Sequence, residues 1–216
     1  MERQTLPRIL KVMQKEASGA PVFLLEKTSE RSPFEILIGT MLSARTRDIT
    51  TARILPELFE TANNPNSMLN ISVGELEKTL YGIGFYRVKA RRIKEISKIL
   101  VDRFGGNVPP NIDDLLSLPG VGRKTANIVL ARAFGKNTLG VDVHVHRISN
   151  RLGLVKTKKP EETEKQLLKI LSKNLIKNFN KTLVAYGQMI CLPVKPLCSK
   201  CKLNTLCPKI GVKSNG

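Results

Sequence analysis

Residues 114–135 read DLLSLPGVGRKTANIVLARAFG, and the punctuation in this stretch decides the fold. Two segments with helical apolar spacing flank Leu118-Pro119-Gly120-Val121-Gly122. Pro119 disfavours helix at the residue before it, and the glycines reach backbone angles closed to other residues. The reading is a helix over 112–118, a tight turn, and a second helix over 123–134 stopped by Gly135. Glycines on both sides of one apolar residue leave consecutive amide N–H groups pointing outward at a helix start. Amide donors and the positive helix end suit a phosphate there without reading its base. Taken alone, a tight helical hairpin with no ligand accounts for the glycine spacing about as well.

Outward from this stretch, the apolar spacing is helical nearly throughout, and the chain reads as all-α. Ser32-Pro33-Phe34-Glu35 has the form of a capping box opening the run FEILIGTMLSA. From Arg87 to Phe104, Val88, Ile93, Ile96, Ile99, Leu100 and Phe104 recur at helical intervals before Gly105-Gly106. The other face of that helix carries Arg87, Lys89, Arg91, Arg92, Lys94, Lys98 and Arg103, and a solvated or a phosphate-facing role fits it equally. Further helices are expected at 143–152, 161–174 and 179–191, and a frayed end after Gly211. No segment shows a convincing period of two; VFLL after Pro21 is too short to tell a strand from a buried helix.

The 216 residues suffice for one or two compact domains, and 41% hydrophobic content supports a core. Lys and Arg number 36 against 18 Asp and Glu, a net charge of +18, so the expected partners are polyanions. No apolar run is long enough to span a membrane, and the N-terminus lacks the pattern of a secretory signal, so an intracellular place is expected. All four cysteines, Cys191, Cys198, Cys201 and Cys207, fall in one C-x6-C-x2-C-x5-C cluster. In a reducing compartment such a cluster reads as a metal site, with zinc and iron-sulfur both open to four thiolates.

LPGVGRKTAN resembles the helix-hairpin-helix of the endonuclease III family of DNA glycosylases, and FEILIGTMLSA, VDVHVHR and the four cysteines follow that family in order. The resemblance runs from about Pro33 to Cys207. It implies two all-α parts. Residues 26–136 would form a six-helix barrel bearing the helix-hairpin-helix. Residues 1–25 and 137–216 would form a discontinuous helical domain around a 4Fe-4S cluster held by Cys191, Cys198, Cys201 and Cys207. A cleft between the two would take damaged double-stranded DNA, and the protein would act as a monomer.

Residue by residue, the resemblance makes Lys124 the nucleophile and Asp142 the catalytic carboxylate. Lys124 sits at the positive end of a helix beside Arg123, surroundings that disfavour a second positive charge and suit an attacking amine. Its plain alternative is an exposed lysine contacting a phosphate. Asp142, before an apolar helical run, has the independent reading of an N-cap. Gly120, Val121, Gly122 and Arg123 would grip phosphates. His144 matches the histidine after the aspartate, whereas His146 reads as packing or surface, and their i, i+2 spacing argues against a shared metal. Lys195, alone in the loop LPVKPL, would face DNA with help from Lys200 and Lys202. An extruded base leaves a gap to be filled. Arg45 stands where the family carries a glutamine for this task, a departure that opens the choice of opposite base, and Phe85 in GIGFYRVKA would wedge the other strand. By composition alone Phe85 is as good a core aromatic, and Tyr86 and Arg87 beside it read as exposed. Two further readings stand beside that of a bifunctional glycosylase and apurinic/apyrimidinic lyase for oxidised pyrimidines. One is a monofunctional mismatch glycosylase, whose relatives carry Ser or Tyr in place of Lys124. The other is a non-catalytic DNA-binding module.

Overall fold

The structure, a computed structural model, describes residues 5–26 and 32–212. Eleven α-helices and two 3₁₀ turns make up its regular structure, with no strand among the described residues. The expected frayed terminus after Gly211 lies outside the described residues except for Val212. The chain divides into two compact units, residues 24–136 and the discontinuous pair 1–23 with 137–216.

The described part of unit 24–136 carries α2 (Pro33–Ser43), α3 (Asp48–Thr61), α4 (Pro65–Asn70), α5 (Val73–Thr79), α6 (Tyr86–Phe104), α7 (Ile112–Ser117) and α8 (Arg123–Phe134). α2 starts as the capping box predicts: the Glu35 amide donates to Ser32 Oγ at 3.2 Å, and the Ser32 amide donates to Glu35 Oε2 at 2.7 Å. α2 is apolar nearly all round and packs along α8 in a core built on Leu37, Ile38, Leu42, Ile93, Ile96, Leu100, Val129 and Leu130. A helix of this composition is stable only when surrounded. α7 stops at Ser117, because Leu118, preceding Pro119, takes the extended ψ of 135°. The stretch 48–79, without a firm prediction, folds as three helices. Pro56 lies inside α3, and the capping pairs Asn64–Ser67 and Ser72–Glu75 open α4 and α5.

Two expectations for α6 are corrected. Val88, assigned to the apolar face, is 45% exposed, and Lys89, assigned to the basic face, is 6% exposed. Lys89 shares its helical face with the buried Ile93, Ile96 and Leu100, each step of three or four positions being the spacing that brings side chains together.

The other unit carries α1 (Leu6–Glu16), α9 (Val143–Arg151), α10 (Pro160–Ile170) and α11 (Lys173–Met189) around a separate core that includes Ile9, Met13, Val145, Ile148, Leu167, Phe179 and Leu183. The segment expected as one helix over 161–174 is broken at Leu171 and Ser172, both extended, so α11 begins at Lys173 and not near Phe179. Leu171 is buried there, and the serine marks the N-terminal boundary that serines favour. VFLL lies in the 3₁₀ turn Pro21–Glu26 and not in a strand.

Candidate functional site

The turn between α7 and α8 is a hairpin with Gly120 at φ +79°. A side chain at Gly120 would run into the Arg92 side chain, whose Cδ stands 2.8 Å from where a Cβ would lie. Val121 is buried, and its amide donates to the Leu118 carbonyl at 3.1 Å. The expected row of outward amides is therefore interrupted at Val121, with the exposed Gly120 and Gly122 on either side of it. Gly122 is the N-cap of α8 with ψ 173° and contributes no side chain to the cap. Arg123 is exposed and Lys124 half-buried in the first turn that follows.

Asp142 is the N-cap of α9. Its Oδ1 accepts from the His144 and Val145 amides, each at 2.9 Å, so the capping reading holds. Asp142 belongs to the discontinuous unit, Lys124 to the other. His144 is half-buried and packs onto Gly187 of α11, where its Nδ1 takes the space a Cβ would need. Arg147 Nη2 lies 3.2 Å from that Nδ1 and donates to the Gly187 and Cys191 carbonyls at 3.2 and 2.8 Å. Burial holds this guanidinium below the usual arginine value. His146 faces elsewhere, its Nδ1 2.7 Å from Thr163 Oγ1. The two histidines do not share a site, as their spacing predicts.

All four cysteines are free, half-buried, and line one cavity in the discontinuous unit, together with Met13, Ile148, Tyr186 and Leu203. Among the described residues no three of His, Cys, Asp or Glu converge to hold a single ion. Arg151, 8% exposed, was not singled out by the sequence reading. Its Nη1 donates to Cys191 Sγ at 3.3 Å and to the Leu192 carbonyl at 2.6 Å, and its Nη2 to the Pro193 carbonyl at 2.7 Å. The Tyr186 hydroxyl lies 2.9 Å from Cys201 Sγ and donates to Glu16 Oε2 at 3.0 Å. Burial pushes both the Tyr186 hydroxyl and the Cys207 thiol above their ordinary values. Lys195, Lys200 and Lys202 are all exposed.

On unit 24–136, Arg45 and Phe85 lie on two adjoining loops, and both take left-handed backbone, with φ of 54° and 59°. Phe85 is 62% exposed, which removes the core-aromatic reading. Arg45 is exposed, its guanidinium carbon 5.9 Å from the Phe85 ring centre. Tyr86, expected to be exposed, is half-buried against the core, edge-on to Tyr81 at 5.7 Å, whereas Arg87 is exposed and stacks on the Tyr86 ring at 5.4 Å.

A helical scaffold presenting a glycine hairpin at a helix start on a chain of net charge +18 has the equipment of a nucleic-acid-binding protein. The comparisons agree: the profile described as "HhH-GPD superfamily base excision DNA repair protein" matches residues 38–173. Endonuclease III of Thermotoga maritima is 50% identical over 178 residues, covering 82% of this chain and 84% of that one. Endonuclease III of Synechocystis sp. is 37% identical over 208 residues, covering 96% and 93%. Among solved structures, a non-covalent endonuclease III–DNA complex superposes with a TM-score of 0.83 at 35% identity, covering 97% of this chain and 96% of that one. A trapped endonuclease III–DNA covalent intermediate superposes with the same score and identity. The chain belongs to the endonuclease III family. Among its described residues no helix is long and apolar enough to cross a membrane.

Proposed function

We propose that the chain is a bifunctional DNA glycosylase and apurinic/apyrimidinic lyase of base excision repair, acting on oxidised pyrimidines in duplex DNA. The observation that carries this is a lysine, Lys124, in the first turn of α8 directly after the anion-binding Gly120–Gly122 hairpin. The relative trapped as a covalent DNA intermediate supports it, since an attacking amine is a group that forms such a bond. The Gly120 and Gly122 amides hold backbone phosphates without reading sequence. Arg45 fills the space of the extruded nucleotide, and Phe85 wedges the other strand. The Lys124 amine forms a bond to the sugar's anomeric carbon as the bond to the base breaks, and the adduct becomes an imine when the sugar ring opens, the bond from that carbon to the ring oxygen breaking and the oxygen taking a proton as a hydroxyl. The imine accepts electrons when the neighbouring C–H proton is removed, and the 3′ phosphate leaves by β-elimination. Asp142 stabilises positive charge developing on the sugar and relays protons for the amine and the leaving base.

Cys191, Cys198, Cys201 and Cys207 would hold a 4Fe-4S cluster. The donor set is four soft thiolates. They line one cavity together, where such a cluster would sit. When bound, the cluster would cross-link the C-terminal loop. The buried Arg151 supplies a positive charge and a donor beside Cys191. The hairpin unit would then be the DNA-gripping domain and the discontinuous unit the cluster domain.

Borohydride tests the reading. With an abasic or thymine glycol duplex, wild-type protein should give a covalent protein–DNA adduct that is absent in Lys124→Ala. Base release without any adduct would favour the monofunctional alternative, and DNA binding without base release the non-catalytic one.

A further inference from the structure

One buried ammonium lies under the Arg45 and Phe85 loops. Lys89 Nζ donates to the Leu42 carbonyl at 2.9 Å, to the Ala44 carbonyl at 2.6 Å and to Thr46 Oγ1 at 3.2 Å. The first two are carbonyls at the C-terminal end of α2, which the helix itself leaves without donors. Thr46 Oγ1 accepts from the Gly84 amide at 3.1 Å, so a single hydroxyl joins the Arg45 loop, the Phe85 turn and Lys89. Gly84 brings the two backbones together, because the Arg45 carbonyl oxygen occupies the place a Cβ would take.

This network sits between the only two described residues, other than glycine and Lys209, with positive φ. Non-glycine residues persist in that region where their surroundings over-determine them. Arg45 and Phe85 are exposed, so their mutual stacking buries little, and the constraint comes from the hydrogen bonds beneath. Lys94, also on α6, is the instructive contrast. Its Nζ donates to the Met68, Leu69 and Ile71 carbonyls at the end of α4, where neighbouring residues have ordinary backbone angles. It caps a helix and presents nothing.

We infer that Lys89 is a positioning residue for base extrusion, its buried ammonium locking the Arg45 loop to the Phe85 turn so that both side chains enter the duplex as one preset unit. The inference rests on the proposed roles of Arg45 and Phe85. Exposed loops that must displace a stacked base act faster when their ordering has preceded binding. Lys89 makes no contact with the reacting atoms, so its effect falls on extrusion and not on the chemistry at the sugar.

The test uses a duplex with 2-aminopurine beside an abasic analogue, whose fluorescence rises as the stack opens, and borohydride trapping on a single-stranded abasic oligonucleotide, which needs no extrusion. In Lys89→Met and Thr46→Val the fluorescence rise should slow by about ten-fold or more, with single-strand trapping at the wild-type rate. Lys89→Arg should recover most of the loss, and Lys94→Met should extrude normally. Wild-type extrusion in both Lys89→Met and Thr46→Val, or a parallel fall in single-strand trapping, overturns the inference; should Lys89→Met not fold, Thr46→Val decides. Arg45→Ala and Phe85→Ala separate the two levels: if neither slows extrusion, the roles given to those side chains fail, whereas slowing there with normal extrusion in both Lys89→Met and Thr46→Val sinks Lys89 alone.

Discussion

At the head of α9 the Asp142 carboxylate accepts two amides through one oxygen, and asparagine offers the same oxygen to both. Asp142→Asn therefore separates the cap from the charge. Its thermal stability should stay within about 0.5 kcal/mol of wild type, since Asn and Asp cap equally well, whereas Asp142→Ala should lose about 1 kcal/mol. Single-turnover base release in Asp142→Asn should fall by roughly 100-fold or more with DNA affinity kept. Normal release rates in that variant would leave capping as the residue's whole role. Lys89 yields a second residue-scale prediction. Burial pushes its ammonium down from 10.5 to about 8, and its acceptors are two carbonyls and a hydroxyl, with no carboxylate to offset the desolvation. The folded protein thus binds fewer protons than the unfolded chain between those values. The stability linked to this group is complete above about 10.5 and lost as pH falls through about 8. The melting temperature of wild type relative to Lys89→Met should rise between pH 8 and pH 10. A flat difference would show that the ammonium is as well solvated in the fold as in water.

Among the elements, the helical hairpin depends on one backbone conformation. Gly120 has φ +79°, and its missing Cβ leaves room for Arg92. Gly120→Ala adds both left-handed strain and a contact with the flexible Arg92 side chain, so the unit should lose about 1–2 kcal/mol, with DNA affinity falling further than stability. Unchanged affinity would place the phosphate grip elsewhere. Helix-scale features were legible wherever capping and apolar period agreed: Ser32 and Glu35 mark α2, and Gly135 ends α8. They were lost where the two signals conflicted. Pro56 masks α3, because a proline inside a helix reads as a break. Ser72 and Glu75 announced α5 in the same form as Ser32 and Glu35, but its single buried residue, Leu76, gives no period to follow. Lys89 was hidden by its charge: its place on the Ile93–Ile96–Leu100 face was visible in the spacing, while the carbonyls that receive it come from the end of α2 more than forty residues earlier. The Cys191–Cys207 cluster was legible from spacing alone, yet Arg151 and Tyr186, which touch two of those sulfurs, carry no local signal.

At the scale of the molecule, the two units differ in what can hold them together. Unit 24–136 is covered by helices whose apolar faces meet in one core. The chain after α11 has no such support. Between residues 192 and 212 its regular structure is the 3₁₀ turn Cys198–Lys200, and Leu203 is its buried side chain among the described residues. With one buried side chain and short-range turns in place of a core of its own, the segment is held largely by its ends and by the Arg151 bonds to the Leu192 and Pro193 carbonyls, and four thiolates on a shared cluster would supply the missing cross-links. Anaerobic removal of iron by a chelator and oxidant should therefore expose 192–212 to limited proteolysis, while the helical circular dichroism of the protein falls only slightly. Reconstitution with iron and sulfide should restore protection, and a Cys198→Ala chain should be cut there from the outset. If instead the iron-free protein resists proteases throughout 192–212, the loop is held by packing alone and the cysteines serve another purpose.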